Sequence, residues 1–261
     1  MVREKGDRGG RASDGGSVVK PAAILFDLDD TILNCEGGDY RKLWMQSVED
    51  HIHLFGELSA DALYQEIRQV AREFWSDADR HRWGRLEIQA SRQQLVVAAA
   101  SNLNHANDEA AVQLADHYHE RREFNVVPFE GAIETLDHLH RSSTKTALIT
   151  NGASQIQRMK IDKYELDQYF DMVLIEGEFG RGKPDPAVYT HLVSELGVSA
   201  EDSWIVGDNL EWEVRVPQQL GFHAIWNDFL DRGLPAGSDV VPDRIVNSIH
   251  ELIDPHGPGA R

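Results

Sequence analysis

Five short apolar runs, each about the length of a β-strand, limit what this chain can fold into. Gly, Pro and Asp bound these runs, and segments with helical spacing separate them. The runs do not alternate apolar with polar residues, which is typical of strands that are buried on both faces of a parallel sheet. We therefore predict an α/β fold with a parallel sheet. The runs cover residues 22–26, 146–149, 172–175, 204–206 and 224–226.

The segments between the runs carry the periodicity of helices. Asp185 followed by Pro186 suits the start of one of them, because Asp caps a helix and Pro fits its first turn. The predicted helices cover residues 131–141, 154–164, 186–196 and 211–220.

The long stretch 34–128, between the first two runs, shows no strand pattern. Apolar residues three and four positions apart, such as Leu63, Ile67 and Val70, predict four amphipathic helices here. Such a stretch forms a small inserted bundle of four-helix type, and a segment at 76–85 joins two of its helices as a loop. The two Gly at 37–38 and Pro128 are the expected hinges on either side.

We accordingly divide the chain into three parts. Residues 21–33 and 129–254 are predicted to form the α/β core, and residues 34–128 the helical insert. Residues 1–20 hold five Gly and five Lys or Arg with few apolar side chains, so they are predicted to form a disordered tail.

Charge and cysteine content exclude several classes of function. The formal net charge is −18, which makes nucleic acid and anionic membrane surfaces poor partners. A phosphorylated ligand would therefore need a locally cationic site. A single cysteine, Cys35, excludes an intramolecular disulfide and fits a reducing compartment. The longest apolar run has six residues, too few to span a bilayer, so a cytoplasmic location is expected.

Polar residues follow four of the apolar runs directly or within one loop. In an open parallel α/β sheet, the crevice at the carboxyl ends of the strands is the usual binding site. The sequence therefore predicts that two acids, a hydroxyl, an amide and a lysine meet at one edge of the sheet. These residues are Asp27, Thr150 with Asn151, Lys183 and Asp208.

This order of motifs resembles the haloacid dehalogenase-like hydrolase superfamily. The motifs are Phe-Asp-Leu-Asp-Asp-Thr at 26–31, Leu-Ile-Thr-Asn at 148–151, Gly-Lys-Pro-Asp-Pro at 182–186 and Val-Gly-Asp-Asn at 206–209. The resemblance covers about residues 22–250. It implies a Rossmann-like core whose helical insert is a cap, and an enzyme that hydrolyses phosphoric monoesters of a small phosphorylated metabolite.

The resemblance also implies catalytic roles. Asp27 would attack phosphorus and form an aspartyl-phosphate, and Asp29 would act as general acid and base. Mg²⁺ would lie on the carboxylates of Asp27 and Asp208 and on the backbone carbonyl of Asp29. Thr150 and Asn151, expected to open a helix, would bind the transferring group. Lys183 would bridge the nucleophile and the phosphate.

Three further polar residues are weighed here. Glu213, five positions after Asp208, stands where many relatives have Asp, so we expect it in the outer shell of the metal. Asn209 could lie near the metal or cap the following helix. Asp30 is expected to stabilise a turn with its side chain.

Alternatives remain within and outside the superfamily. A dehalogenase is disfavoured, because dehalogenases lack the second acid that Asp29 supplies. A sugar phosphomutase shares all the motifs, although Asp30 and Thr31 replace the Gly and the β-branched apolar residue that are usual there. A non-catalytic phospholigand-binding module is the third alternative. Residues 76–85, which hold several cations and an aromatic ring, are expected to form either a substrate-specificity loop or an ordinary solvated turn. The sequence does not name the substrate or the oligomeric state.

Overall fold

A six-stranded parallel sheet lies at the centre of the structure. The computed structural model describes residues 20–35 and 40–253. The strands in these ranges are β1 Ala23–Phe26, β2 Leu33–Asn34, β3 Val127–Pro128, β4 Lys145–Thr150, β5 Met172–Ile175, β6 Ser203–Gly207, β7 His223–Asn227 and β8 Arg244–Val246. The order in the sheet is β5-β4-β1-β6-β7-β8, which confirms the predicted α/β class.

All five predicted strands are present, and their ends lie within one residue of the predicted positions. The reason is burial on both faces, since every residue of β1 is buried. Ile24 and Phe26 pack into one hydrophobic layer, and Ala23 and Leu25 pack into the other. A sheet covered by helices on both sides therefore requires continuous apolar runs in the sequence of its strands.

Helices cover both faces of the sheet and form the insert. They are α1 Tyr40–His51, α2 Ala60–Ser76, α3 Ala78–Leu86, α4 Ile88–Asn102, α5 Asp108–Asn125, α6 Ala132–His140, α7 Ser154–Lys163, α8 Glu176–Phe179, α9 Pro186–Leu196 and α10 Val216–Gln219. Helices α6 and α7 pack on the layer of Ile24, and α9 packs on the layer of Leu25. The predicted helix at 211–220 is a π-helical segment, Leu210–Arg215, followed by α10.

The prediction that residues 34–128 hold no strand is wrong at both ends. Leu33 pairs with Pro128 and Asn34 with Val127, so β2 and β3 form a small antiparallel pair where the insert leaves and rejoins the core. Two residues per strand are too few to give an alternating pattern. Strand β8 was also missed, because it is a three-residue edge strand whose Ile245 is 45% exposed.

The insert has its own hydrophobic core, formed by side chains of α1, α2, α4 and α5 such as Val48, Leu63, Val96 and Leu114. The four predicted helices are therefore confirmed. The predicted loop at 76–85 is wrong, because most of it belongs to helix α3.

Helix α3 escaped prediction because it lacks an apolar face. Gly84 is its one buried residue, and a Cβ there would lie 2.6 Å from a ring atom of Phe74. The helix begins at a side-chain cap, since the Asp77 carboxylate accepts a hydrogen bond from the Arg80 N–H at 2.8 Å.

Several predicted features lie beyond the described residues. They are the tail at 1–20, apart from Lys20, the two Gly at 37–38, and residue 254 at the end of the predicted core. Within 20–35 and 40–253, no helix is both long enough and apolar enough to cross a membrane.

Candidate active site

The carboxyl ends of β1, β4 and β6 carry the predicted site residues. Asp27 follows β1, Thr150 ends β4 and Asp208 follows β6. Strand β1 lies between β4 and β6, so Asp27 is central. Lys183 comes from the loop between α8 and α9, and its ammonium lies 2.5 Å from Oδ1 of Asp27.

Lys183 is the buried cation of this site, with a side chain only 1% exposed. Its Nζ contacts Asp27 and also lies 2.7 Å from Oε1 of Glu213, which is equally buried. Burial alone would lower the pKa of Lys183, but the charges of the two carboxylates raise it above its usual value. Lys183 is therefore charged at neutral pH. The Thr31 hydroxyl donates to the other oxygen of Asp27 at 3.2 Å.

Three carboxyl groups share this one ammonium. Burial raises the pKa of Asp27 although Lys183 opposes the shift. Burial and the charges of Asp27, Glu213 and Asp30 raise the pKa of Asp208 to about 9. Burial also raises the pKa of Glu213 to about 7, against the effect of Lys183. The site thus holds more potential negative charge than Lys183 offsets, which favours binding of a cation.

Asp29 lies in a different environment from Asp27. Its carboxylate accepts hydrogen bonds from Lys160 Nζ at 2.9 and 3.0 Å and from Gln157 Nε2 at 3.0 Å. The Cys35 thiol donates to it at 3.1 Å. Burial raises the pKa of Asp29, but Lys160 and these hydrogen bonds together lower it below its usual value. Asp29 is therefore ionised in this arrangement.

Lys160 and Gln157 are site residues that the sequence analysis missed. They lie three positions apart on α7, so they share one face of the helix, and both are buried. A polar pair with helical spacing shortly after the Thr150–Asn151 motif was the available signal. The ammonium of Lys160 also lies 3.8 Å from Oε2 of Glu123 on α5.

Asn151 binds the backbone of Lys183 with its side chain. Its Nδ2 donates to the Lys183 carbonyl at 2.7 Å, and its Oδ1 accepts from the Lys183 N–H at 2.7 Å. Thr150 Oγ1 accepts a hydrogen bond from Gln157 at 2.5 Å. The expectation that these two residues open a helix is wrong, because α7 begins at Ser154. Their contact with a phosphoryl group stays a prediction.

Glu213 and Asn209 both have structural partners. Glu213 Oε2 accepts from the Asn209 N–H at 2.9 Å, while its Oε1 faces Lys183. Asn209 Oδ1 accepts from the N–H groups of Glu211 and Trp212 at 3.0 and 3.1 Å, so it caps the π-helical segment.

Asp30 has the turn geometry that was expected of it. Its φ is 58°, and its Oδ1 accepts from the Cys35 N–H at 2.9 Å. Among the residues described, no group of three or more His, Cys, Asp or Glu side chains is arranged to hold a metal ion. A metal at this edge must therefore also use backbone carbonyl oxygen or water as a ligand.

Helix α3 joins the insert to the core. Arg85 forms a bidentate ion pair with the buried Glu176, with N–O distances of 2.6 and 2.7 Å. The Arg85 carbonyl also accepts from the Ala153 N–H at 3.2 Å. Glu176 in turn accepts from the Gly152 N–H at 3.0 Å. One cation of the predicted loop thus fixes the segment after Thr150, while Trp83 is 40% exposed.

This fold and this set of motif residues define a class of hydrolase. The family model for haloacid dehalogenase-like hydrolases matches residues 21–221, and the chain belongs to that family. The predicted resemblance is thereby confirmed.

Relatives with assigned activities align with nearly the whole chain. A phosphoserine phosphatase of Thermus thermophilus is 29% identical and covers 88% of this chain and 96% of its own length. A glyceraldehyde 3-phosphate phosphatase of Methanopyrus kandleri is 28% identical and covers 89% of this chain and 95% of its own length. One similar solved structure is that of the putative HAD-hydrolase YfnB from Bacillus subtilis bound to magnesium. It has a TM-score of 0.69 at 19% identity, and it covers 90% of this chain and 98% of its own chain. That likeness shows the fold.

The contacts of Asn151 predict a specific loss of stability. Asn151→Ala leaves the N–H and the carbonyl of Lys183 without these partners, and we expect it to lower the free energy of unfolding by about 2 kcal/mol. Urea denaturation measures the change. Asn125→Ala is the matched control, because that exposed amide bonds only the Arg121 carbonyl of its own helix, and we expect about 0.5 kcal/mol or less. Equal losses in the two variants would contradict the assigned role.

Proposed function

We propose that this chain is a Mg²⁺-dependent phosphatase that hydrolyses a small phosphorylated metabolite through an aspartyl-phosphate on Asp27. The observation that carries the proposal is the buried Asp27 carboxylate at the end of the central strand, 2.5 Å from the ammonium of Lys183. The printed activities of the two relatives, which are both phosphatases of small metabolites, support the same class of substrate.

The reaction needs a nucleophile that can approach a negatively charged phosphoryl group. Asp27 would attack phosphorus, and the charge of Lys183 would reduce the repulsion between carboxylate and phosphoryl oxygens. Glu213 accepts from the Asn209 N–H and faces Lys183, so we propose that it orients Lys183 and does not bind the metal directly. The backbone at Thr150 and Asn151 would bind the phosphoryl oxygens.

The residues present fit a magnesium ion. Hard cations prefer oxygen ligands, and Asp27, Asp208 and the backbone carbonyl of Asp29 supply them at one edge of the sheet. The raised pKa of Asp208 fits as well, because a cation would stabilise the ionised form that burial disfavours. When bound, Mg²⁺ would offset the charge that develops on the phosphoryl oxygens.

Asp29 is proposed as the general acid and base. Its lowered pKa suits the second step, in which an ionised carboxylate takes a proton from the attacking water. Donation to the leaving group in the first step requires a protonated Asp29, so the carboxyl must then be free of Lys160.

The proposed domains follow from the same reading of the site. Residues 34–128 are proposed to form the cap over this edge, and residues 21–33 and 129–254 are proposed to form the catalytic core. The proposed location of the protein is the cytoplasm.

Replacing the nucleophile tests the proposed function. Asp27→Asn should lower hydrolysis of p-nitrophenyl phosphate by at least about a thousandfold, because it removes the nucleophile and a metal ligand together. The variant should still fold, because the substitution removes a carboxyl group whose ionised form is destabilised by burial. A thermal melt checks this. Near wild-type turnover by the variant would refute the aspartyl-phosphate. Wild-type turnover only after addition of a sugar bisphosphate would indicate a mutase.

The raised pKa of Asp208 predicts that magnesium affinity depends on pH. Below about pH 9 the metal must displace a proton from Asp208, so apparent affinity should rise up to about tenfold per pH unit between about pH 6 and about pH 8. Without metal, stability should fall over the same interval, because the unfolded chain has already released this proton. Thermal melts with and without MgCl₂ measure both effects. In Asp208→Asn both effects should be smaller than in the wild type, although Glu213, whose pKa is raised to about 7, still contributes. An unchanged pH dependence would contradict the assignment.

The proposed role of Asp29 predicts a dependence on the leaving group. Asp29→Asn should slow hydrolysis of an alkyl phosphate by about a hundredfold or more, because an alkoxide needs a proton. Hydrolysis of p-nitrophenyl phosphate should fall much less, since nitrophenolate leaves unprotonated. Steady-state kinetics on the two esters give the comparison. Equal losses on both would show that Asp29 does not protonate the leaving group.

A further inference from the structure

A cavity of about 420 Å³ lies between helices α1, α2, α4 and α5 of the insert. Neither Asp27 nor Lys183 lines it. A smaller cavity of about 170 Å³ contains Asp29 and Lys160, and three residues line both cavities. These shared residues are Ile88, Arg92 and Arg122. A ligand that starts beside Asp29 can therefore extend into the insert.

The large cavity is cationic although the protein is acidic. Four arginines line it, and no carboxylate does so among the described residues. Arg92 forms an ion pair with Glu123 at 3.0 Å. Within the described ranges, Arg68, Arg72 and Arg122 form no ion pair with any carboxylate. The chain has 44 acidic and 26 basic residues. Three arginines at one cavity that form no ion pair within the described ranges therefore favour an anionic ligand.

Aromatic rings and aliphatic side chains form the remaining walls of the cavity. Trp44 and Tyr118 are stacked, with 3.6 Å between their ring centroids. The guanidinium of Arg68 lies 5.8 Å from the centroid of Tyr64, and the guanidinium of Arg122 donates to the Tyr118 hydroxyl at 3.1 Å. Flat rings beside guanidinium groups suit a planar body that carries a negative charge.

We propose that this aromatic–arginine cavity binds the leaving group of the substrate, and that the substrate is a phosphomonoester with a flat apolar body and a second anionic group at its far end. The inference rests on the proposed phosphatase function. It moves the expected specificity element from residues 76–85, where Arg85 is bound to Glu176, to a cavity among the other helices. Remote contacts of this kind raise both affinity and turnover when they position the reacting group.

The experiment compares 2-naphthyl phosphate with 6-carboxy-2-naphthyl phosphate, using p-nitrophenyl phosphate as a short reporter. We expect the wild-type enzyme to prefer the carboxylated ester by about tenfold in kcat/KM. Arg68→Gln and Arg122→Gln should each remove most of that preference, and Arg68→Gln, which does not line the cavity of Asp29, should change the rate on the reporter less than about twofold. Arg68 is half-buried, so its variant should fold even where Arg122→Gln is destabilised.

Two further variants complete the design. Arg121→Gln is the matched control, because Arg121 is the neighbour of Arg122 on α5, pairs with Asp50 and lines neither cavity. Its preference should equal that of the wild type. Arg82→Gln tests the rival location on α3. A loss of preference in Arg82→Gln with none in Arg68→Gln or Arg122→Gln would overturn the proposal, as would equal wild-type rates on the two naphthyl esters.

A binding measurement separates this inference from the phosphatase function. 6-Hydroxy-2-naphthoate is the product of the carboxylated ester, and calorimetry gives its affinity without turnover. We expect it to bind the wild-type protein about tenfold more tightly than it binds Arg68→Gln, and more tightly than 2-naphthol binds the wild type. If binding holds while no ester is hydrolysed, the cavity assignment stands and the phosphatase proposal fails. If hydrolysis of the reporter proceeds while the product does not bind, the cavity assignment fails alone.

Discussion

The buried contact of Lys183 with Asp27 and Glu213 is the interaction on which the site depends. Burying one ammonium between two carboxylates is unfavourable unless the geometry is fixed by other contacts. Asn151 fixes the backbone of Lys183 with two hydrogen bonds. Gly207 leaves room for Glu213, since a Cβ at that position would overlap its side chain. The ends of three neighbouring strands are thus bound to one another through charged and amide side chains, and these contacts fix the position of Asp27, the proposed nucleophile.

Two carboxylates that lie two residues apart have opposite electrostatic environments. Burial raises the pKa of Asp27, whereas Lys160 and its neighbours lower that of Asp29. Environments that shift the pKa values of two carboxyl groups in opposite directions allow one site to give them different chemical roles. A different lysine lies beside each carboxyl, Lys183 at Asp27 and Lys160 at Asp29. The motif at 26–31 contains both acids but neither lysine. It therefore places the two carboxyl groups close together but does not determine how their pKa values differ.

The sequence predicted the sheet and its site residues for one physical reason. Strands buried on both faces must be continuous apolar runs, and parallel strands bring their carboxyl ends to one edge, so Asp27, Thr150 and Asp208 could be placed together. Helix α3 could not be predicted, because a cap at Asp77 and close packing at Gly84 leave no periodic apolar face. Lys160 was harder to place, since a lysine on a helix is normally exposed and its helical spacing from Gln157 was the available signal.

The charged side chains of Lys160, Glu123 and Arg92, which were not predicted, connect the core with the insert. Lys160 holds Asp29 and faces Glu123, and Glu123 pairs with Arg92, which lines the cavity in the insert. Because one carboxylate lies between Lys160 and Arg92, a negative charge that arrives at Arg92 changes the field on Lys160. Lys160 is the strongest influence that lowers the pKa of Asp29. If the cavity binds the leaving group as proposed, its recognition and the proton transfer proposed for Asp29 would be linked through the four consecutive charges of Asp29, Lys160, Glu123 and Arg92.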